Sequence, residues 1–199
     1  MDICKHKMTI FSTIGVENLV APNLYEVTYS FRVKTSDFDE QNVAFGRIKH
    51  FLDSRVTNSI MMSRRHPKWR SLSKLDNNIF LTSGEPMDFP VACAIFKKLQ
   101  SIVEGRFEIV ALQISSIVGE QVEYILTDED QEEIDAFIED MPEADKWWND
   151  PSPNTNNIQP FIDWETVGLN WQQPKSKKEE RVARVIHFNP TILEGGNKS

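Results

Sequence analysis

The sequence predicts an α+β protein, with one antiparallel sheet in the order β-β-α-α-β-β-α, helices on one face and an irregular C-terminal arm. Three observations predict it. From Leu24 to Thr35 apolar and polar residues alternate. Two later stretches carry apolar residues at three- and four-residue spacing. Beyond Pro142 no period is sustained.

The elements follow in chain order. Met8 to Val16, reading MTIFSTIGV, is a short β-like run before the turn-prone ENLVAPN. Next, Tyr25, Val27, Tyr29, Phe31 and Val33 alternate with Glu26, Thr28, Ser30, Arg32 and Lys34. A period of two with β-branched and aromatic members puts one face on a core and the other in water. From Ser36 to Arg64 the chain reads as one long helix. Asp37 caps its first turn with Glu40 three residues on, and Phe45, Ile48, Leu52, Val56 and Ile60 form its buried stripe. Gly46 weakens that helix by about 1 kcal/mol relative to alanine, and Pro67 blocks its continuation.

Residues 63–88 read as a long connection with room for a short strand at Ile79 to Thr82. A second helix follows Asp88 and Pro90, with Val91, Ile95, Leu99 and Ile102 on one face and Gly105 at its C-terminal cap. Phe107 to Val118 and Gln121 to Thr127 form two strands joined by Gly119-Glu120. Ile134, Phe137, Ile138 and Met141 mark a last amphipathic helix, stopped by Pro142. These elements make a domain over residues 1–141. Residues 142–199 form a Pro-, Trp- and Asn-rich arm, with an alternating run at Arg181 to Phe188 that can add a final strand.

Composition narrows the class. The chain has 199 residues, 40% hydrophobic and 26% charged, which suits one domain with a tail. No apolar run is long enough to span a membrane, and the N-terminus lacks a secretory h-region. Cys4 and Cys93 are far apart and read as free thiols of a reducing compartment. A cytoplasmic location is expected. Scarce Gly and Ala beside frequent Asn, Asp, Ile and Lys fit AT-rich genomes, many viral ones included, which would make it a host cytoplasm.

The element order resembles that of the tunnelling-fold enzymes of pterin and purine chemistry. This is a likeness of topology, and no functional residue carries over with it. The zinc-binding histidine triad of the pyruvoyl-pterin synthases needs a clustered pair, whereas His6, His50, His66 and His187 are scattered. No metal site or cofactor is expected. Asp37, Asp39 and Glu40 are placed as helix N-terminal charges. The run from Asp128 to Glu133 has Glu133 where a calcium loop needs glycine. There is no G-x-S-x-G elbow and no Gly-rich phosphate loop, so no catalytic residue is assigned.

Charge is unevenly distributed. From Arg47 to Lys74 eight bases face one acid, a balance of +7. From Glu120 to Asp150 thirteen acids face one base, a balance of −12, inside an overall −8. Within the basic part, Arg64, Arg65, Lys68, Trp69 and Arg70 form a candidate nucleic-acid contact, arginines for phosphates and an indole for an unpaired base. In the arm, Trp147, Trp148, Phe161, Trp164 and Trp171 carry more apolar area than a disordered tail leaves in water. Two readings are open: the arm wraps over its own sheet, or it docks on another protein.

Three functions are therefore expected, in this order. The first is a non-enzymatic interaction protein, an oligomer or a component of a larger assembly, a viral one included. The second is a regulator binding single-stranded RNA through residues 63–74. The third is a small-molecule enzyme of tunnelling-fold type.

Overall fold

The computed structural model describes residues 3–74, 78–82, 84–118, 122–139, 146–156 and 161–171. Strand β1 (Cys4–Val16) and strand β2 (Leu19–Val33) form a long antiparallel hairpin. Their tight turn places Glu17 in the left-handed region, with φ 53°. Both strands run longer than the sequence period shows. The period in β1 breaks because Gly15 and Ser12 sit on buried ground beside the larger apolar residues.

Helix α1 (Phe38–His50) starts where the sequence places it. The Asp37 carboxylate accepts from the N–H groups of Asp39 and Glu40. The Glu40 side chain, expected to reach back to Asp37, is instead bonded to the Thr35 hydroxyl at 2.7 Å. The helix continues as a π turn, Phe51–Val56, and then stops: Thr57 is extended and Asn58 is left-handed at φ 58°. Strand β3 (Ile60–Ser63) follows, where the sequence reading has the end of a helix.

That strand overturns the expected antiparallel sheet. The sheet is six-stranded and mixed, in the order β4-β3-β1-β2-β5-β6. β3 lies parallel to β1, and β4 (Ile79–Thr82) lies parallel to β3. The other pairs, β1–β2, β2–β5 and β5–β6, are antiparallel. The α+β class holds. The error has a physical cause: an all-apolar run such as Ile60-Met61-Met62 has no period, so a buried strand and a buried helical turn read alike.

Between β3 and β4 lies a single helical turn, α2 (Trp69–Leu72). Helix α3 (Asp88–Val103) is nearly all buried, and Glu104 and Gly105 end it in the left-handed region, at φ 45° and 77°. Strands β5 (Phe107–Ser116) and β6 (Tyr124–Thr127) and helix α4 (Gln131–Glu139) complete the set. The expected Gly119-Glu120 turn and the run 181–188 lie outside the described residues. In β5 the register steps from Phe31–Ile109 to Ser30–Ala111, leaving Val110 as a bulge. The extra residue lets both Ile109 and Leu112 reach the core.

Helices α1 and α3 pack on one face of the sheet, and the core between them holds Tyr25, Tyr29, Phe51, Phe80, Phe96 and Leu99. Trp147, Trp148 and Trp164 belong to this same core. The indole N–H of Trp147 donates to the Leu81 carbonyl at 2.8 Å, the Leu81 N–H donates to the Thr155 carbonyl, and the Ile79 carbonyl accepts from Thr155 and Asn156. Residues 147–156 therefore saturate the outer edge of β4, where a bare strand would invite pairing. Lys98, with no exposed surface, donates to the carbonyls of Trp147 and Asp150.

A second fastener holds residues 164–171. The Arg47 guanidinium, 2% exposed, lies between the rings of Trp171 and Trp164, at 3.8 Å and 4.8 Å. It donates to the carbonyls of Leu169 and Ile102 and to the Glu104 carboxylate. Arg106 stacks on Trp171 at 4.3 Å. Gly46 is explained by the same contact: a Cβ there would stand 2.8 Å from Leu169 Cδ2. The glycine that weakens α1 makes room for the chain that lies across it.

Candidate functional site

Helices cover one face of the sheet; the other carries the side chains that alternate outward from β1, β2, β5 and β6. Four cross-strand rows follow from the register. Lys5 stands beside Ser30, Ala111 and Thr127; Lys7 beside Thr28, Gln113 and Ile125; Thr9 beside Glu26 and Ser115. Phe11 stands beside Leu24, and the Ile117 N–H donates to the Leu24 carbonyl, which continues the row.

This face is mostly polar, as an open antiparallel face should be. Lys7 and Glu26 pair at 2.9 Å, which raises the Lys7 pKa through a hydrogen bond and charge. Glu108 is bonded by Lys34 and Arg32, which hold its carboxyl below the ordinary value. Gln113 donates to Glu123 at 2.6 Å. Against that background stand large exposed apolar side chains: Phe11 at 51%, Ile117 at 62% and Ile125 at 57%. Single exposed apolar residues are ordinary; Phe11, half-buried Leu24 and Ile117 in one row, with Ile125 further along a face that no described residue covers, are a contact surface in form. Round the same end of the sheet, on the helix side, an apolar cavity of about 170 Å³ opens between the hairpin tip and the start of α3. Ile14, Leu19, Ala21, Met87 and Val118 are among its walls.

A buried polar group lies beside that cavity. Asn23, 2% exposed, accepts through Oδ1 from the N–H groups of Leu24 and Val118. Ser116 donates to the Asp88 carboxylate, and neither Asp88 nor Tyr25 exposes any surface. Burial raises the Tyr25 phenol far above its ordinary value. This group ties β2 and β5 to the start of α3. Among the described residues no three His, Cys, Asp or Glu side chains meet as a metal site.

The sequence-derived site residues fall in two places. In the basic segment, Arg65, Lys68 and Arg70 are exposed, Arg64 and Trp69 are half-buried, and His66 is buried beneath them. The His66 Nδ1 accepts from the Lys68 N–H at 3.2 Å and so pins the turn, and Trp69 leans on the core. In the arm, Trp147, Trp148 and Trp164 are buried against the chain's own domain, Trp171 is half-buried between two arginines, and Phe161 is 53% exposed. The structure thus brings together four of the five aromatics of the arm and leaves them apart from the basic turn.

The apolar row was missed in the sequence. Its signal was Phe11 itself, which shares the parity of Lys5, Lys7 and Thr9 in the β1 run and so stands on the water side.

Comparison with known proteins adds little. No family model matches the chain, and no curated relative matches it. Solved structures that are similar in part include the following two. An uncharacterized protein from Wolinella succinogenes is 8% identical over 64% of this chain and 98% of its own, with a TM-score of 0.46. A catalytic-residue mutant of 6-pyruvoyltetrahydropterin synthase from Plasmodium vivax is 7% identical over 63% of this chain and 98% of its own, with a TM-score of 0.37. At such scores neither likeness carries an argument about function. No helix among the described residues is long and apolar enough to cross a membrane.

Proposed function

We propose that this chain is a non-enzymatic interaction protein, an oligomer or a component of a larger assembly, whose contact surface is the sheet face opposite the helices. The observation that carries the reading is the row of Phe11, half-buried Leu24 and Ile117, with exposed Ile125 two rows along the same face, on a sheet whose other face is packed by helices. Burying such side chains yields about 1.5–3 kcal/mol each, enough to drive association when several are covered together. The arm's tryptophans complete the core and close the β4 edge, so they are not part of that exposed surface.

The test is a pair of exposed substitutions, Phe11→Glu with Ile117→Lys, made in the full chain. Circular dichroism and the melting temperature should stay near those of the wild type, while any assembly above the mass of one chain is lost in sedimentation and in size-exclusion of source-cell extract. An unchanged assembly in both measurements sinks the reading.

One observation favours a second reading. Arg65, Lys68 and Arg70 stand exposed within one turn anchored by His66, the arrangement a phosphate backbone needs. Filter binding to single-stranded RNA at low salt tests it: affinity should fall steeply with salt and with Arg65→Ala plus Lys68→Ala. Absence of binding at low salt rules it out.

A further inference from the structure

We infer that the partner of the open sheet face is a second copy of this chain, docked face to face by a two-fold axis that runs parallel to the strands midway between β2 and β5. This inference rests on the reading of that face as a contact surface, and it adds the partner and the geometry.

The argument is one of self-complementarity. A two-fold axis in that position exchanges β2 with β5 and β1 with β6 across the interface. Each outward residue of β2 then faces the β5 residue that neighbours it within one copy. The register lists the facing pairs: Leu24 with Ile117, Glu26 with Ser115, Thr28 with Gln113, Ser30 with Ala111, and Arg32 with Glu108. At the flanks, Lys5 faces Thr127, Lys7 faces Ile125, and Thr9 faces Glu123. The last pair extends the β5–β6 register one step beyond Ile114–Tyr124, which sets Glu123 beside Ser115 in the row of Thr9. Leu24 meets Ile117, the Lys7 side chain lies over Ile125, Arg32 meets a carboxylate, and no two like charges are opposed. An isologous interface requires this property, since every contact occurs twice.

One competing face-to-face arrangement fails the same check. An axis across the strands at the level of Lys7 would set Lys7 against its own counterpart, and like charges directly opposed disfavour association. The face is also large enough, though only just. Four strands at about 4.8 Å spacing and some eight residues at about 3.4 Å cover roughly 500 Å² of projected area per copy. Both copies together bury about 1,000 Å², the lower limit for a specific interface. A reversible, micromolar dimer is the expected product. Aligned packing of two sheets about 10 Å apart accommodates side chains of the size found on this face.

The experiment is sedimentation velocity of the full chain over a concentration series from the micromolar range upward, with three variants. The wild type should move toward twice the 23.0 kDa chain mass. Ile117→Lys should stay at one chain mass. Thr9→Glu places a carboxylate opposite Glu123 at both ends of the interface and should weaken the dimer at least tenfold. Adding Glu123→Lys to the Thr9→Glu chain should restore it, because the charges are then complementary at both ends; each variant's melting curve checks folding. Failure of the second substitution to restore the dimer overturns the proposed axis. A wild type that stays at one chain mass overturns the second copy as partner. In that case an extract complex lost on Ile117→Lys leaves the contact-surface reading standing, and the lack of any such complex removes both. A dimer indifferent to Ile117→Lys likewise removes both.

Discussion

Replacing Arg47 by alanine is the most informative single perturbation of this fold. The guanidinium is almost wholly buried, yet it is an ion at the centre of the contact between α1, the end of α3 and residues 164–171. Truncation strips a donor from the buried carbonyls of Ile102 and Leu169, at about 1–3 kcal/mol each. It also removes two cation–π contacts, to Trp164 and Trp171, at about 0.5–2 kcal/mol each. The Glu104 partner is 36% exposed and rehydrates, so its loss counts for little. Against these losses stands the relief of a desolvated cation, whose burial already lowers its pKa. The net cost should be about 3–5 kcal/mol, in line with the breaking of other buried charged networks. Urea unfolding followed by circular dichroism and by tryptophan emission measures it, and the emission should shift red before the main transition as Trp164 and Trp171 become wet. Lysine should rescue only part, since one ammonium lacks the planar fork and the stacking faces. A cost below about 1 kcal/mol, with unaltered emission, would refute the claim that Arg47 fastens the arm.

Three further outcomes are expected. Burial pushes the Lys98 ammonium down to about 7 from 10.5, against the pull of nearby Asp150. The unfolded chain therefore binds more protons than the folded one between those values, and the charging penalty is fully present below about 7. Relative to Lys98→Met, wild-type stability should rise as pH goes from 7 toward 10, by at most about 1.4 kcal/mol per pH unit; a flat difference would contradict this. Gly46→Ala should gain about 1 kcal/mol of helix propensity only when Leu169→Ala removes the opposing methyl group, and equal effects in both backgrounds would dismiss the contact. Trp147→Phe should cost about 1–3 kcal/mol for the donor lost from Leu81. Hydrogen exchange at the Leu81 amide should quicken with it, and unchanged exchange would mean the β4 edge is closed by other means.

Much of this architecture was legible from local chemistry. The alternation of Tyr25 to Val33 marked β2 and told its buried face from its wet one, and the Asp37 cap marked the start of α1. What escaped depends on contacts far apart in sequence. Ile60 to Ser63 is a strand because it pairs beside β1 and β4, and nothing local distinguishes it from the helix before it. Gly46 looked like a flaw in a helix until Leu169, 123 residues later, was found lying over it. The tryptophans of residues 147–171 signalled burial, but their surroundings had to come from Lys98, Arg47 and the edge of β4. The basic segment was visible as charge, whereas the buried His66 that shapes it was not. For the candidate contact face, the alternation in β1 and β2 gave the outward residues, and only the register aligned Phe11, Leu24 and Ile117 into one row.

The claim that the open sheet face is where this chain meets its partner is tested most directly by hydroxyl-radical footprinting across a dilution series of the full protein. In the associated state Phe11, Ile117 and Ile125 should lose reactivity together, while Phe38 and Phe161, which are 72% and 53% exposed away from that face, should react as before. Equal labelling of Phe11 and Ile117 in the dilute and the associated states would contradict it.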